Sequence, residues 1–282
     1  MLLLHNLMRE GAERLSTGPH PQRARADAEL LLLHVLDRNK AWLMAHGAEE
    51  VTAARAASYN ELVTQRLAGE PIQYILGEAE FYGLPFRVTR NVLIPRPETE
   101  HLVERALELA AAFAEPRIVD IGTGSGAIAV ALADQLPSAA VTAIDISPSA
   151  LAIARANADR NNAARIRFLE GDLLTPVNGE SFELVVSNPP YVPATDRASL
   201  SVEVREFEPE LALFAGDDGL DIYRRLIPAA FATLIAGGYL LLEIGFGQSA
   251  QITHLLARSG FEQIEFVPDL QGIARVACAR RP

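Results

Sequence analysis

Cysteine is nearly absent from this chain. Cys278 alone stands in 282 residues, so neither an intrachain disulfide nor a cysteine metal cluster can be built. Within "RVACARR" it reads as a small core residue of a strand. Positive charge is also short. The 25 Lys and Arg face 36 Asp and Glu, a net charge of −11, which is the wrong balance for a broad phosphate-binding surface. Direct nucleic-acid binding is therefore not expected. Long hydrophobic runs are missing too: "AAFATLIAGGYLLL" has 14 residues and is broken by Gly237 and Gly238, too short to span a bilayer. The opening "MLLLHNLMREGAERL" meets charge before the apolar region of a secretory leader could form. The expectation is a cytoplasmic protein with no membrane association. None of the six His falls into a triad or a metal-ligand spacing, so no metal is expected.

What is present can build a full core. Hydrophobic residues make up 49% and charged residues 22%, enough for one large domain or two modest ones. Residues 1–75 read as a helical N-terminal domain. "ADAELLLLHVL" and "TAARAASYNELVTQRLAGE" place apolar residues at helical spacing with few β-branched positions, and Gly69 and Pro71 are expected to end the last long helix. Residues 76–97 include "EAEFYGLPFRVTR", where aromatic and β-branched residues flank Gly83-Leu84-Pro85; this predicts a hairpin linker. From residue 98 to 282 strand and helix patterns alternate, which predicts an α/β domain with a parallel, doubly wound sheet. The acidic stretch "EVREFEPE" reads as solvated surface.

Two motifs in that α/β domain concern chemistry. "VDIGTGSGAIAVAL" runs strand, glycine-rich turn, helix. Gly122, Gly124 and Gly126 let the backbone turn sharply and approach a ligand, with Thr123 and Ser125 between them and a helix N-terminus beyond. Asp145 ends the next strand, 23 residues after Gly122, where a carboxylate can accept from both hydroxyls of a ribose. The loop admits two cofactors. Gly122-x-Gly124-x-x-Ala127 satisfies the looser dinucleotide fingerprint, whereas Asp120, two residues before the first glycine, looks like the D-x-G-x-G-x-G motif of S-adenosylmethionine (SAM) methyltransferases. A carboxylate aimed into the pocket would repel a pyrophosphate and suit a cationic amino-acid end. Asp172, closing "FLEGD", is placed to reach an adenine amino group, with Leu173 packing on the ring.

The second motif, "SNPPYVP", follows the apolar strand "FELVVS". Prolines cannot continue a strand, so Asn188 sits at a strand's carboxyl end, where open α/β sheets bind ligands. Asn/Asp-Pro-Pro-Tyr/Phe is similar to the signature of SAM methyltransferases that modify planar nitrogens. Such a nitrogen has its lone pair delocalised into a π system, a conjugation measured by the amide rotation barrier of about 18–20 kcal/mol. An NH₂ group offers two donors. The Asn188 side-chain oxygen and the Pro189 carbonyl supply two acceptors, Pro190 keeps the backbone rigid, and Tyr191 can stack on the target's plane. Alignment of this kind lowers the barrier without a strong general base.

With these motifs, "PIQYILGEAEFYGLPFRVTRNVLIPRPETE" and "FEPELALFAGDDGLDIYRRLI" make the chain resemble the release-factor glutamine N5-methyltransferases, the PrmC/HemK family, over nearly its whole length. The resemblance implies a helical substrate-recognition domain, a hairpin linker and a Rossmann-like SAM-binding domain acting as a monomer. It implies methyl transfer from SAM, leaving S-adenosylhomocysteine, to the glutamine of the Gly-Gly-Gln loop of class 1 peptide-chain release factors. By motif match, Asp120, Gly122 to Gly126, Asp145, Asp172, Leu173 and Asn188 contact SAM, and Asn188, Pro189, Pro190 and Tyr191 the glutamine, with Asn188, Pro189 and Tyr191 as catalytic residues. Two alternatives use the same clamp: exocyclic amine methylation of nucleic acid bases, and glutamine methylation of a ribosomal protein. Arg96 and Glu98 stand where a substrate mouth or a salt-bridged linker would form.

Overall fold

The computed structural model describes residues 3–282; Met1 and Leu2, at the start of the expected helical domain, lie outside the described residues. The chain divides into two compact units, one reaching to Gly77 and taking back Leu200–Phe207, the other made of Glu78–Ser199 and Glu208–Pro282.

The first unit is helical: α1 (Leu4–Leu15), α2 (Ala24–Leu36), α3 (Lys40–His46), α4 (Ala53–Leu67) and α5 (Ile72–Leu76). Local chemistry sets the ends. Asn39 and Thr52 cap α3 and α4 by accepting from Trp42 N and Arg55 N, filling donors that a helix start leaves free. As the sequence suggested, the last long helix, α4, ends at Leu67 just ahead of Gly69 and Pro71; the short α5 follows Pro71, and Gly77 closes it at φ 75°, a conformation glycine adopts without a Cβ clash. Leu4, Leu7, Leu31, Leu32, Tyr59 and Val63 form the apolar centre. Through it runs an ion pair, Arg66 Nε to Asp27 Oδ2 at 2.7 Å, with both side chains 2% exposed.

After Ser199 the chain returns to this unit with α9 (Val202–Phe207). Glu203 of α9 pairs with Arg66 Nη1 and lies 3.3 Å from His20 Nε2. Glu208 is 5% exposed and pairs, within the second unit, with Arg96. The expectation that "EVREFEPE" is solvated surface is therefore wrong at Glu203 and Glu208. An acidic residue can leave water when an arginine meets it, and composition does not show which acids have such partners.

The second unit opens with the expected hairpin, β1 (Glu78–Phe81) paired antiparallel to β2 (Leu84–Arg87). There follow α6 (Glu100–Ala110), β3 (Arg117–Ile121), α7 (Ala127–Gln135), β4 (Ala140–Asp145), α8 (Pro148–Arg160), β5 (Arg167–Glu170) and β6 (Phe182–Ser187). Beyond α9 come α10 (Asp221–Thr233), β7 (Leu234–Glu243), α11 (Ser249–Arg258), β8 (Glu262–Pro268) and β9 (Ala274–Arg280). The seven strands lie in the order β5-β4-β3-β6-β7-β9-β8. The sheet is parallel except that β9 runs antiparallel to both β7 and β8. Only five residues separate β8 from β9, too few for the crossover a parallel pair needs, so the last two strands form a hairpin where the sequence suggested parallel pairing throughout.

Alternate residues of the buried strands enter opposite cores. Ile118, Leu184, Val186, Leu241 and Cys278 pack on one face with Leu102, Ala106 and Val130. Val119, Val185, Leu240 and Leu242 pack on the other with Tyr223, Leu226 and Ile252. This period of two leaves the polar ends of the strands as the place for chemistry.

Candidate active site

The sheet changes winding direction between β3 and β6, and at that switch point the carboxyl ends of the parallel strands open a crevice. Register brings the ends level. Ile121 pairs with Ile144 on one side and Ser187 on the other, and Ser187 pairs with Leu242. The next residues, Gly122, Asp145, Asn188 and Glu243, therefore emerge side by side. A cavity of about 260 Å³ lies there, lined by Gly122 to Ser125, Asp145, Asp172, Leu173 and Ser187 to Pro190.

One wall is backbone. Gly122, Gly124 and Gly126 take φ of 70°, 55° and 82°, where a side chain would be strained. Gly122 N and Thr123 N donate to Ile144 O at 2.8 and 3.0 Å, tying the turn to β4. A Cβ at Gly122 would meet no atom within 4 Å, whereas one at Gly126 would lie 3.1 Å from Ala154 Cβ. Gly122 thus faces open space, and Gly126 lets α7 approach α8. Asn157 of α8, fully buried, secures the loop from behind by donating to Ser125 O at 2.8 Å and exchanging hydrogen bonds with Arg87 N and O at 2.7 and 3.0 Å.

Asp145 accepts from Gly124 N at 2.8 Å on one oxygen and from Ser147 N at 2.9 Å on the other. Burial pushes its pKa up, and those amides oppose the rise. Each oxygen keeps a second acceptor site, so the carboxylate can still take a vicinal diol. Asp120 does not line the cavity. It is fully buried, accepts from Thr123 Oγ1 at 2.6 Å, and is pushed by burial to about 7. It braces the loop from behind, so its carboxylate does not present its charge to the cavity as the sequence suggested. Asp172 lines the cavity, but its carboxylate pairs with Arg225. Leu173 lines it too, at φ 50°, an unfavourable conformation for a branched side chain that marks a held position.

The other wall is side chain. Asn188 Nδ2 donates to Thr99 Oγ1 at 3.1 Å, Thr99 Oγ1 donates to Glu243 Oε2 at 2.5 Å, and Tyr191 OH donates to Glu243 Oε1 at 3.3 Å. Glu243 is 3% exposed, and burial pushes its pKa to about 7. Tyr191 is half-buried just outside the residues that line the cavity, and burial raises its phenol pKa. Its carbonyl accepts from Gln248 Nε2 at 3.1 Å. A Cβ on Gly219 would sit 2.3 Å from that carbonyl, so the chain after the two prolines passes where only glycine allows it. Arg96 lines the cavity with its guanidinium on Glu208, whereas Glu98 is not among the lining residues.

Sequence reasoning missed Thr99, Glu243, Gln248 and Asn157. Glu243 carried a usable signal, since it closes the apolar strand "GYLLLE" as Asp145 closes "AVTAID". The other three have none, because their partners lie dozens of residues away. Among the described residues no His, Cys, Asp and Glu group could hold a metal ion, and no helix is long and apolar enough to cross a membrane.

The chain matches the family described as PrmC N-terminal domain over residues 6–77 and the methyltransferase small domain over residues 99–205. A release factor glutamine methyltransferase of Koribacter versatilis is 46% identical over 259 residues, 92% of this chain and 91% of that protein. Proteins of the same name from Deinococcus radiodurans and Moorella thermoacetica are 41% and 42% identical over 99% of this chain, covering 98% and 99% of their own lengths. Among solved structures, the catalytic domain of hMettl16 in complex with the MAT2A 3'UTR hairpin 6 aligns with a TM-score of 0.58 at 17% identity, covering 82% of this chain and 83% of that one. A methyltransferase from Pyrococcus furiosus aligns with a TM-score of 0.51 at 18% identity over 71% and 90%. These two structures speak to the fold alone. Kinship above 40% over nearly the full length speaks to more: this chain belongs to the release factor glutamine methyltransferases.

Proposed function

We propose that the protein transfers a methyl group from SAM to the side-chain nitrogen of the glutamine in the Gly-Gly-Gln motif of class 1 peptide-chain release factors. The observation that carries this reading is the placement of Asn188 and Pro189 on the wall of the crevice that also holds the glycine loop and Asp145, in a chain that shares its full length with proteins of that name. SAM binding is supported by the family and by a pocket whose residues fit the group: an open face at Gly122, a diol acceptor at Asp145, and apolar Leu173 and Ile144 for a flat ring.

When bound, SAM supplies an electrophilic methyl on a sulfonium. The chain's residues do the rest by positioning. Gly122 to Ser125 give a close backbone cradle, and Asp145 takes the ribose hydroxyls. The Asn188 side-chain oxygen and the Pro189 carbonyl accept the two N–H bonds of the target amide and fix its plane. Pro190 holds the second acceptor rigid, and the Tyr191 ring, steadied by Glu243, gives the amide a surface to lie against. The proton leaves an N-protonated amide acidic enough for water to take it. In the same reading the helical unit recognises the release factor, and the protein works as a cytoplasmic monomer without nucleic acid.

The test is mass spectrometry after incubation of the purified protein with SAM. The panel holds an unmethylated release factor, a ribosomal protein, and DNA and RNA analysed as nucleosides. One added methyl on the Gly-Gly-Gln glutamine is the expected result. Methyl on a base, or on the ribosomal protein alone, overturns the substrate assignment.

A further inference from the structure

The amide of Asn188 can serve as acceptor only if its oxygen, and not its NH₂, is turned to the target. An unrestrained asparagine side chain has both orientations open to it. Here a chain of hydrogen bonds chooses between them. Glu243, at the end of β7, presents two carboxylate oxygens to the interior, one accepting from Thr99 Oγ1 at 2.5 Å and the other from Tyr191 OH. A hydroxyl has one hydrogen. When Glu243 is ionised that hydrogen is committed to it, and the Thr99 oxygen faces Asn188 as an acceptor only. It matches Nδ2, which donates to it at 3.1 Å, and it would repel the carbonyl arm. The amide oxygen is thereby left on the opposite arm. Thr99 is 4% exposed and Glu243 3%, so the bond between them is shielded from water.

We propose that Thr99 and Glu243 are positioning residues for the transfer: Glu243 orders the Thr99 hydroxyl, and Thr99 fixes which arm of the Asn188 amide meets the substrate. The same carboxylate anchors Tyr191, so one buried group sets both halves of the clamp. This inference rests on the function proposed above.

The experiment measures kcat on the release factor and SAM affinity by calorimetry for Thr99→Val, Thr99→Ser, Asn188→Ala and the Thr99→Val/Asn188→Ala double variant. Thr99→Val keeps the shape and loses the hydroxyl. It is expected to lower kcat roughly 10- to 100-fold, the scale of a small misplacement of a reacting group, with SAM affinity changed by less than about twofold. Thr99→Ser keeps the hydroxyl and is expected to restore kcat to within about threefold of the parent. In the Asn188→Ala background the valine substitution is expected to cost less than about twofold, because the amide that Thr99 orients is gone. A valine variant with parental kcat, a serine variant as damaged as the valine one, or an undiminished cost in the double variant each overturns the inference. If the valine variant does not fold, Thr99→Ala is judged by the same criteria. A parent protein that leaves the release factor unmethylated overturns the functional reading first, and the inference with it. A parent that methylates it beside an unaffected valine variant overturns the inference alone.

Discussion

The two walls of the crevice are built by opposite means. Toward β4 the surface is backbone: three glycines at positive φ, amides bound to Ile144 O, and one carboxylate held by the amides of Gly124 and Ser147. Toward β7 it is the side chains of Thr99, Asn188, Tyr191 and Glu243, joined by hydrogen bonds, with Gln248 holding the Tyr191 carbonyl. The difference matches what the proposed function asks of each wall. A cofactor with fixed groups can be held by a rigid turn. A nucleophile must be aimed, and aiming depends on the orientation of an amide that only other side chains can choose. The first wall should answer to affinity and the second to turnover.

Asn188→Ala tests that division most sharply. It removes one of two acceptors aimed at the target, and kcat should fall by about 10²- to 10³-fold while calorimetry shows SAM affinity within a few-fold. Asp145→Ala should do the reverse, weakening SAM about 10- to 100-fold through lost charge-assisted hydrogen bonds and sparing kcat at saturation. If both variants lose only SAM affinity, the walls do not divide the labour. Gly219→Ala should come next. Its Cβ would fall 2.3 Å from the Tyr191 carbonyl, so turnover should drop about tenfold by displacement of the clamp, with unchanged SAM binding. Unaltered turnover would mean that the stretch after the prolines tolerates movement.

The smallest effect concerns pH and again separates the walls. Asp120 and Glu243 are both pushed by burial to about 7, above their ordinary values of 3.8 and 4.5. The folded protein therefore holds protons that the unfolded chain has released, and stability falls as pH rises through that window. Asp120→Asn should flatten part of the decline in Tm between about pH 4 and pH 7, leaving the part due to Glu243 and Asp145. An equally steep decline in the variant would place the proton elsewhere.

These walls also differ in how far the sequence disclosed them. The glycine loop, Asp145 and Asn188 are local patterns, because a tight turn needs glycine and a strand end needs only its own neighbours. The alternation of helices and strands likewise disclosed the α/β character of the second unit. What escaped was set by distant partners. Thr99 looks like an ordinary residue of "RPETE", and only the β6–β7 register puts Glu243 beside Asn188. Asp120 shows the opposite error. Its motif was visible, yet its side chain is buried and does not line the cavity, held instead by the Thr123 hydroxyl. The acids of "EVREFEPE" were misjudged because Arg66 and Arg96 stand more than a hundred residues from Glu203 and Glu208.

The return of Leu200–Phe207 to the helical unit bears on how such proteins can be taken apart. A cut after Gly77 would follow the family match and still leave the piece incomplete. It would strip Glu203 from the buried Arg66 and Val202 from its seat against Gly69. Chimeras that exchange the helical unit between relatives therefore need two grafts, the leading segment and this octapeptide, and an excised fragment lacking the second is expected to melt at a lower temperature than one that keeps it tethered.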